Sequence, residues 1–229
     1  MKKFIPIALI ALVLLPGCGT WSKTAAGTGI GSGAGAVVGG LIGGLISKDA
    51  KGAAIGAAIG TAVGAGTGAI IGNQMDKKAE ELAALENAKV ETITDQNGLE
   101  AIKVTFDSGI LFPTNGVKLN KTSQAELKEF AAKMSDFKDT DITIYGHTDN
   151  TGTAEVNERI SQQRADAVQN YLASCGIAAD RMVSQGLSYT MPVADNETKE
   201  GRAANRRVEI YISANEAMIK AAEAAAAKQ

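Results

Sequence analysis

Glycine returns at every fourth position through residues 27, 31, 35, 39 and 43, and again through 52, 56, 60, 64, 68 and 72. Neither run carries a charge, and each is about twenty residues long, enough to cross a hydrocarbon core as a helix. In water each glycine would cost such a helix about 0.8 to 1 kcal/mol relative to alanine, so a solvated helix is a poor solution. Inside a membrane or a helical assembly the same spacing leaves a smooth groove where backbones approach closely. Three arrangements follow: a membrane-embedded hairpin, a self-associating helical layer, or a flexible low-complexity spacer. We expect the hairpin or its homo-oligomer over 27–72, turning at Ser47-Lys48-Asp49-Ala50-Lys51.

A second constraint sits near the middle of the chain. Turning 100° per residue from Ile160, Val156, Ala167, Val168, Tyr171 and Leu172 fall in one apolar stripe, with Asn157 and Arg164 inside it. Burying a guanidinium costs several kcal/mol unless an anion meets it. Arg164 therefore needs an internal carboxylate, a bound anionic ligand, or both. The loop Gly146-His147-Thr148-Asp149-Asn150-Thr151-Gly152, between a strand and this helix, is the natural place for the rest of a site.

Periodicity and turn signals give the remaining elements. Met75 to Lys89 reads as a charged, alanine-rich helical stalk. Strands at about Val90 to Thr94 and Leu99 to Phe106 flank Asp95-Gln96-Asn97-Gly98, a hairpin signal. A helix capped by Asn120 or Thr122 follows, with Leu127, Phe130, Ala131 and Met134 inward. A strand at Asp141 to Tyr145, the Arg164 helix from about Glu155 to Cys175, and strands near Arg181 to Gln185 and Arg207 to Ser213 complete the order. Residues 214–229 read as a helical tail. Alternating strands and helices indicate an α/β fold, a sandwich with helices on one face of a mixed sheet.

The N-terminus reads as an export signal. Lys2 and Lys3 precede an apolar run from Phe4 to Leu15, too short to span a bilayer comfortably. Leu15-Pro16-Gly17-Cys18 resembles the lipobox of bacterial lipoproteins. That resemblance implies removal of 1–17, acylation of Cys18, and a lipidated N-terminus over 18–26. The same resemblance implies that Gly19, in the second mature position, favours the outer membrane, and several acyl chains make anchoring stable. With Cys18 lipidated, Cys175 has no disulfide partner, and we expect it buried just before Gly176, a C-cap glycine.

The run Ile144-Tyr145-Gly146-His147-Thr148-Asp149, then Asn150-Thr151-Gly152, Asn157-Glu158-Arg159-Ile160-Ser161, Arg164-Ala165 and Gly201-Arg202-Ala203-Ala204-Asn205-Arg206-Arg207-Val208-Glu209 resembles the OmpA C-terminal-like domain. The resemblance covers roughly residues 95–213 and implies an OmpA-like α/β sandwich that binds peptidoglycan non-covalently. It implies that Asp149 and Arg164 hold the diaminopimelate of a stem peptide, whose free end carries an ammonium and a carboxylate. Thr148, Asn157 and Gly109 are the further candidate contacts, Gly109 standing where some members carry asparagine. The glycine runs resemble the glycine-zipper segments of outer-membrane lipoproteins. Arg202, Asn205, Arg206 and Arg207 are expected to pin a loop to the sheet by salt bridges.

The chain is formally charged -2, which argues against nucleic acid as a partner. One histidine and one unlipidated cysteine offer no metal cluster, and no cofactor is implied. The leading function is a non-catalytic tether between outer membrane and peptidoglycan, with the domain in the periplasm. The alternatives are a wall-acting enzyme using His147 and Asp149, for which no nucleophile elbow or second placed carboxylate is evident, and a glycine-zipper assembly that the domain merely docks.

Overall fold

The computed structural model describes residues 64–228 apart from 96, 114 and 115. The expected signal peptide at 1–17, the lipidated segment at 18–26 with Cys18, and the glycine hairpin as far as residue 63 lie outside the described residues. Among the described residues no helix is long and apolar enough to cross a membrane.

The elements are helix α1 (Ala65–Leu82), strands β1 (Ala88–Thr94) and β2 (Glu100–Asp107), a short α2 (Ser108–Leu111), α3 (Lys121–Lys133), β3 (Thr140–Gly146), α4 (Ala154–Ser174), β4 (Met182–Gly186), α5 (Lys199–Asn205), β5 (Arg207–Ala214) and α6 (Glu216–Ala226). The strands form one mixed sheet in the order β1-β2-β5-β3-β4. β3 and β4, joined through α4, pair in parallel; the other neighbours are antiparallel. Local chemistry explains the boundaries. Asp95 closes the β1–β2 hairpin by accepting from Leu99 N at 2.9 Å, with Gly98 at φ 76°. Asn120 caps α3 through Ser123 N. Thr153 caps α4 through Val156 N, and Gly176, at φ 100°, ends that helix. Cys175 is half-buried there rather than buried.

α1, α3, α4 and α6 share one core with Ile102, Val104 and Phe106 of β2, Ile142 and Ile144 of β3, and Val208, Ile210 and Ile212 of β5. The expected sandwich, with helices on one face of a mixed sheet, is therefore present. On the opposite face Tyr145 and Tyr211 pack with Leu187, their rings edge to face at 5.5 Å.

Three boundaries differ from the sequence expectation. The helix read as a stalk from Met75 to Lys89 begins at Ala65, inside the second glycine run, and ends at Leu82. Ile71, Met75 and Leu82 are fully buried, because the apolar stripe starts at Ile71, ahead of the boundary placed after residue 72. Lys78 lies on the buried side, its stem covered and its ammonium reaching Asp136 at 2.9 Å and Lys133 O at 2.9 Å. The tail helix α6 is part of the same core, burying Met218, Ile219 and Ala222. A Cβ on Gly66 would lie 3.3 Å from Ala226 Cβ, so this glycine, which lies between the fourth-position glycines 64 and 68, serves α1–α6 packing. The compact fold thus runs from residue 65 to 226 rather than from 95 to 213.

The inward face of α4 also differs. Asn157, Ser161, Arg164, Ala165, Val168 and Leu172 are its buried residues, whereas Val156 is exposed and Ile160, Ala167 and Tyr171 are half-buried. Glycines set this rotation. A Cβ at Gly146 would overlap the Ser161 carbonyl, and one at Gly186 would overlap the Gln162 backbone. The helix presses its small residues onto two strand glycines, a contact that a hydrophobicity pattern does not register.

Candidate ligand-binding site

The site forms at one end of the sheet, where the exits of β2, β3 and β4 meet the start of β5. Gly146 lies opposite both Val208 and Gly186, and Asp107 lies opposite Arg207. Beyond β3, His147 N donates to Arg207 O at 2.9 Å and Thr148 N to Ser188 O at 2.9 Å. These bonds fix the loop that carries Asp149. Gly152, at φ 90°, lets the loop turn into α4.

Asp149 is nearly sealed. Its Oδ1 accepts from the backbone N of Thr151 at 2.9 Å and from the Thr151 hydroxyl, and its Oδ2 accepts from Arg206 Nη1 at 2.5 Å. Burial pushes the carboxyl up, but the bonds from Thr151 and Arg206 outweigh it and hold the group below the usual carboxylate value. The helix is capped by Thr153, so Asp149 is no cap. Nor does it pair with Arg164.

Arg164 is 5% exposed. Its Nε donates to Gly116 O at 3.0 Å, and its guanidinium carbon lies 5.3 Å from the centre of the Phe112 ring, a cation–π distance. Among the described residues no carboxylate forms an ion pair with it and no acceptor meets its two terminal nitrogens. Burial first, then the like charge of Arg206, press its pKa below the usual guanidinium value, and Asp149 opposes them. The group stays protonated at any physiological pH.

The other candidates have distinct places. Asn157 is 4% exposed, and its amide donates to Thr151 O at 2.9 Å, tying α4 to the loop that holds Asp149. Thr148 is buried, and neither its hydroxyl nor that of Ser108 has a hydrogen-bond partner among the described residues. Gly109 is exposed and its N–H donates to Asp107 Oδ1 at 2.6 Å, so that donor is already engaged. Its short helix reaches the site through Ser108 N, which donates to Arg206 O at 2.9 Å. Phe112 and Gly116, which flank Arg164, were not among the sequence candidates. Phe112 and the neighbouring Leu111 are buried in the core, which is how an aromatic in an apolar stretch reads from sequence.

The basic cluster combines two salt bridges, Arg206 to Asp149 and Arg207 to Glu209, with bonds to backbone carbonyls. Asn205, fully buried, accepts from Val193 N and Ala194 N and donates to Ala194 O. Arg202 donates to Asn196 O and Glu197 O, and Arg207 to Met191 O. These bonds hold the loop between β4 and α5. Asn196 Oδ1 in turn accepts from Asn150 N at 3.3 Å, which couples that loop to the Asp149 loop.

His147 faces the other side. It is 1% exposed, 3.5 Å from Glu209 Oε2 without the alignment of a hydrogen bond. Glu209 also takes Arg207 Nε at 2.7 Å, Lys103 Nζ at 2.8 Å and the Tyr211 hydroxyl at 2.8 Å. Burial alone would raise the Glu209 carboxyl; His147, Arg207 and Lys103 together drive it far down. Burial dominates His147 and lowers its pKa. The pairing of His147 with Asp149 that an acid–base enzyme would need is not formed.

Residues 111–206, which include Asp149, Arg164 and Arg206, match the model of the OmpA family. This stretch is an OmpA-like domain. Residues 1–76 match the YMGG-like Gly-zipper model, which overlaps the start of α1. The peptidoglycan-binding protein ArfA of Mycobacterium tuberculosis is 40% identical over 113 residues, covering 49% of this chain and 35% of that protein. The probable lipoprotein YiaD of Escherichia coli is 37% identical over 112 residues, covering 49% of this chain and 51% of its own length. This chain therefore spans about a third to a half of these curated relatives. The solved cell wall anchor of the T6SS from Pseudomonas aeruginosa is 28% identical, covers 62% of this chain and 97% of that one, and superposes with a TM-score of 0.52.

Proposed function

We propose that this protein binds peptidoglycan non-covalently, its OmpA domain gripping the diaminopimelate end of a stem peptide between Asp149 and Arg164, and that it does no chemistry on the wall. The observation that carries the reading is a buried guanidinium whose terminal nitrogens find no acceptor among the described residues. The nearby Asp149 carboxylate is already engaged by Arg206. A buried cation left in this state is costly, and an incoming carboxylate meeting it with two parallel bonds relieves that cost. Asp149 offers the complementary charge for the ammonium on the same ligand end.

Support for the wall as target comes from the relatives, one of which is named a peptidoglycan-binding protein and one of which is solved as a cell wall anchor. The N-terminal half adds the outer membrane. The Cys18 lipobox resemblance and the similarity to a probable lipoprotein support a lipid-anchored tether at the outer membrane with the domain facing the periplasm. Fatty-acid labelling that Cys18→Ser abolishes is the check on that anchor. The glycine-zipper segment before residue 64 is the proposed second membrane contact and self-association element.

Co-sedimentation with purified diaminopimelate-type sacculi tests the central part. Wild-type protein should pellet saturably and release no soluble fragments from the wall. Asp149→Ala and Arg164→Ala should each leave a folded domain in the supernatant. Charge-assisted bonds contribute about 1.5 to 3 kcal/mol each, so at least a roughly tenfold loss of affinity is expected from either. Normal pelleting by a folded Arg164→Ala protein would remove the assignment.

A further inference from the structure

The charges at the site do not balance around a simple clamp. Asp149 and Arg164 alone would form a neutral pair facing a zwitterion, but a second guanidinium, Arg206, stands on the Asp149 carboxylate. The two members of that ion pair differ sharply in exposure, with the Asp149 side chain 7% exposed and that of Arg206 41% exposed. Arg206 is held in place by its backbone: its N donates to Arg202 O at 3.1 Å and its O accepts from Ser108 N at 2.9 Å. Among the described residues its guanidinium makes one bond, to Asp149 Oδ2. Asp149 Oδ1 is taken up by Thr151, so Oδ2 is the oxygen left for an incoming ammonium, and Arg206 covers it. Arg206 is also close enough to Arg164 for its charge to be felt there.

We propose that Arg206 is a specificity-determining residue that exchanges partners when the site fills. This inference rests on the wall-binding reading above. An arriving ammonium takes Asp149 Oδ2, and the released Arg206 guanidinium joins Arg164 on the carboxylate of the same ligand end. A ligand that brings an ammonium without that carboxylate displaces Arg206 and gives it nothing in return. A ligand that brings a carboxylate alone leaves Asp149 latched and gains one guanidinium. Only a group carrying both charges completes the exchange, so Arg206 makes the site reject single-charge ligands in addition to rewarding the zwitterion. Discrimination built on a penalty for the wrong partner is a general route to specificity.

The test is calorimetric binding of two stem peptides, one ending in diaminopimelate and one in lysine, to the whole chain carrying Arg206, Arg206→Gln or Arg206→Lys. Both variants keep the backbone bonds that position residue 206, and circular dichroism confirms folding. Removing a half-exposed ion pair should raise lysine-peptide affinity about two- to fivefold in Arg206→Gln, while diaminopimelate-peptide affinity falls. Arg206→Lys, which retains the charge but not the fork, should lie between. Equal changes for both peptides in Arg206→Gln, or none, would make Arg206 a structural residue and overturn the exchange while leaving the wall-binding reading intact. Wild type that binds sacculi but neither peptide would overturn it as well, since the ligand end would then be wrong. Wild type that binds neither sacculi nor peptide would overturn both readings together.

Discussion

Asp149 and His147 stand two residues apart and face opposite problems. Asp149 is held ionised, its pKa depressed by Thr151 and Arg206, so its stabilising contribution is complete above the ordinary carboxylate range and is lost only as pH falls through a lower value. His147 is held neutral by burial. An unfolded histidine titrates near about 6.5, and below that pH the unfolded chain binds a proton that folded His147 resists, so stability must decline as pH drops. The expected result is a thermal midpoint that falls between pH 7 and 5, with His147→Asn flattening the fall. An unchanged slope in His147→Asn would show that another group is responsible. Peptide binding through Asp149 should by contrast stay level over that range. Sequence reasoning singled out Arg164 because a charge in an apolar stripe is visible as a pattern, and Asp149 only through its loop and the OmpA resemblance. It could not reach Arg206 as Asp149's partner, because a pairing across 57 positions depends on how β3 and β5 align.

At the scale of elements, α1 is the clearest case of packing overriding a local reading. Its charged, alanine-rich sequence describes a solvated stalk equally well, yet Met75 is fully buried in the core. Met75→Ala should therefore cost about 2 to 5 kcal/mol, the usual range for emptying a filled core position, measured by urea denaturation. A stalk residue would cost almost nothing, so a change under about 0.5 kcal/mol, typical of surface substitutions, would contradict the packing. The strands and the long helices α3 and α4 were legible to within a residue or two from caps and periodicity. The short helices α2 and α5 were not, since four and seven residues carry less than two turns of pattern. The rotation of α4 was hidden for a different reason. Two glycines on neighbouring strands draw its small residues inward, and absent side chains leave no hydrophobic signal.

The whole molecule couples two unlike halves. An OmpA-like domain closed by α1 and α6 follows a glycine-rich segment whose two glycine runs are uncharged, and α1 starts within the second run, at Ala65. In the tether proposed above, load from the N-terminal segment would enter a helix packed into the domain core. The proposed tether has meaning only if the far end grips the wall, and the proposed grip rests on Arg164. Isothermal titration of the intact protein with a diaminopimelate stem peptide and with its lysine counterpart measures this most directly, because the two peptides share the ammonium and differ in one carboxylate. Wild type should prefer diaminopimelate at least roughly tenfold, as a charge-assisted pair implies, and Arg164→Ala should lose most of that preference while remaining folded. Equal binding of the two peptides by wild type, or an undiminished preference in Arg164→Ala, would contradict the account.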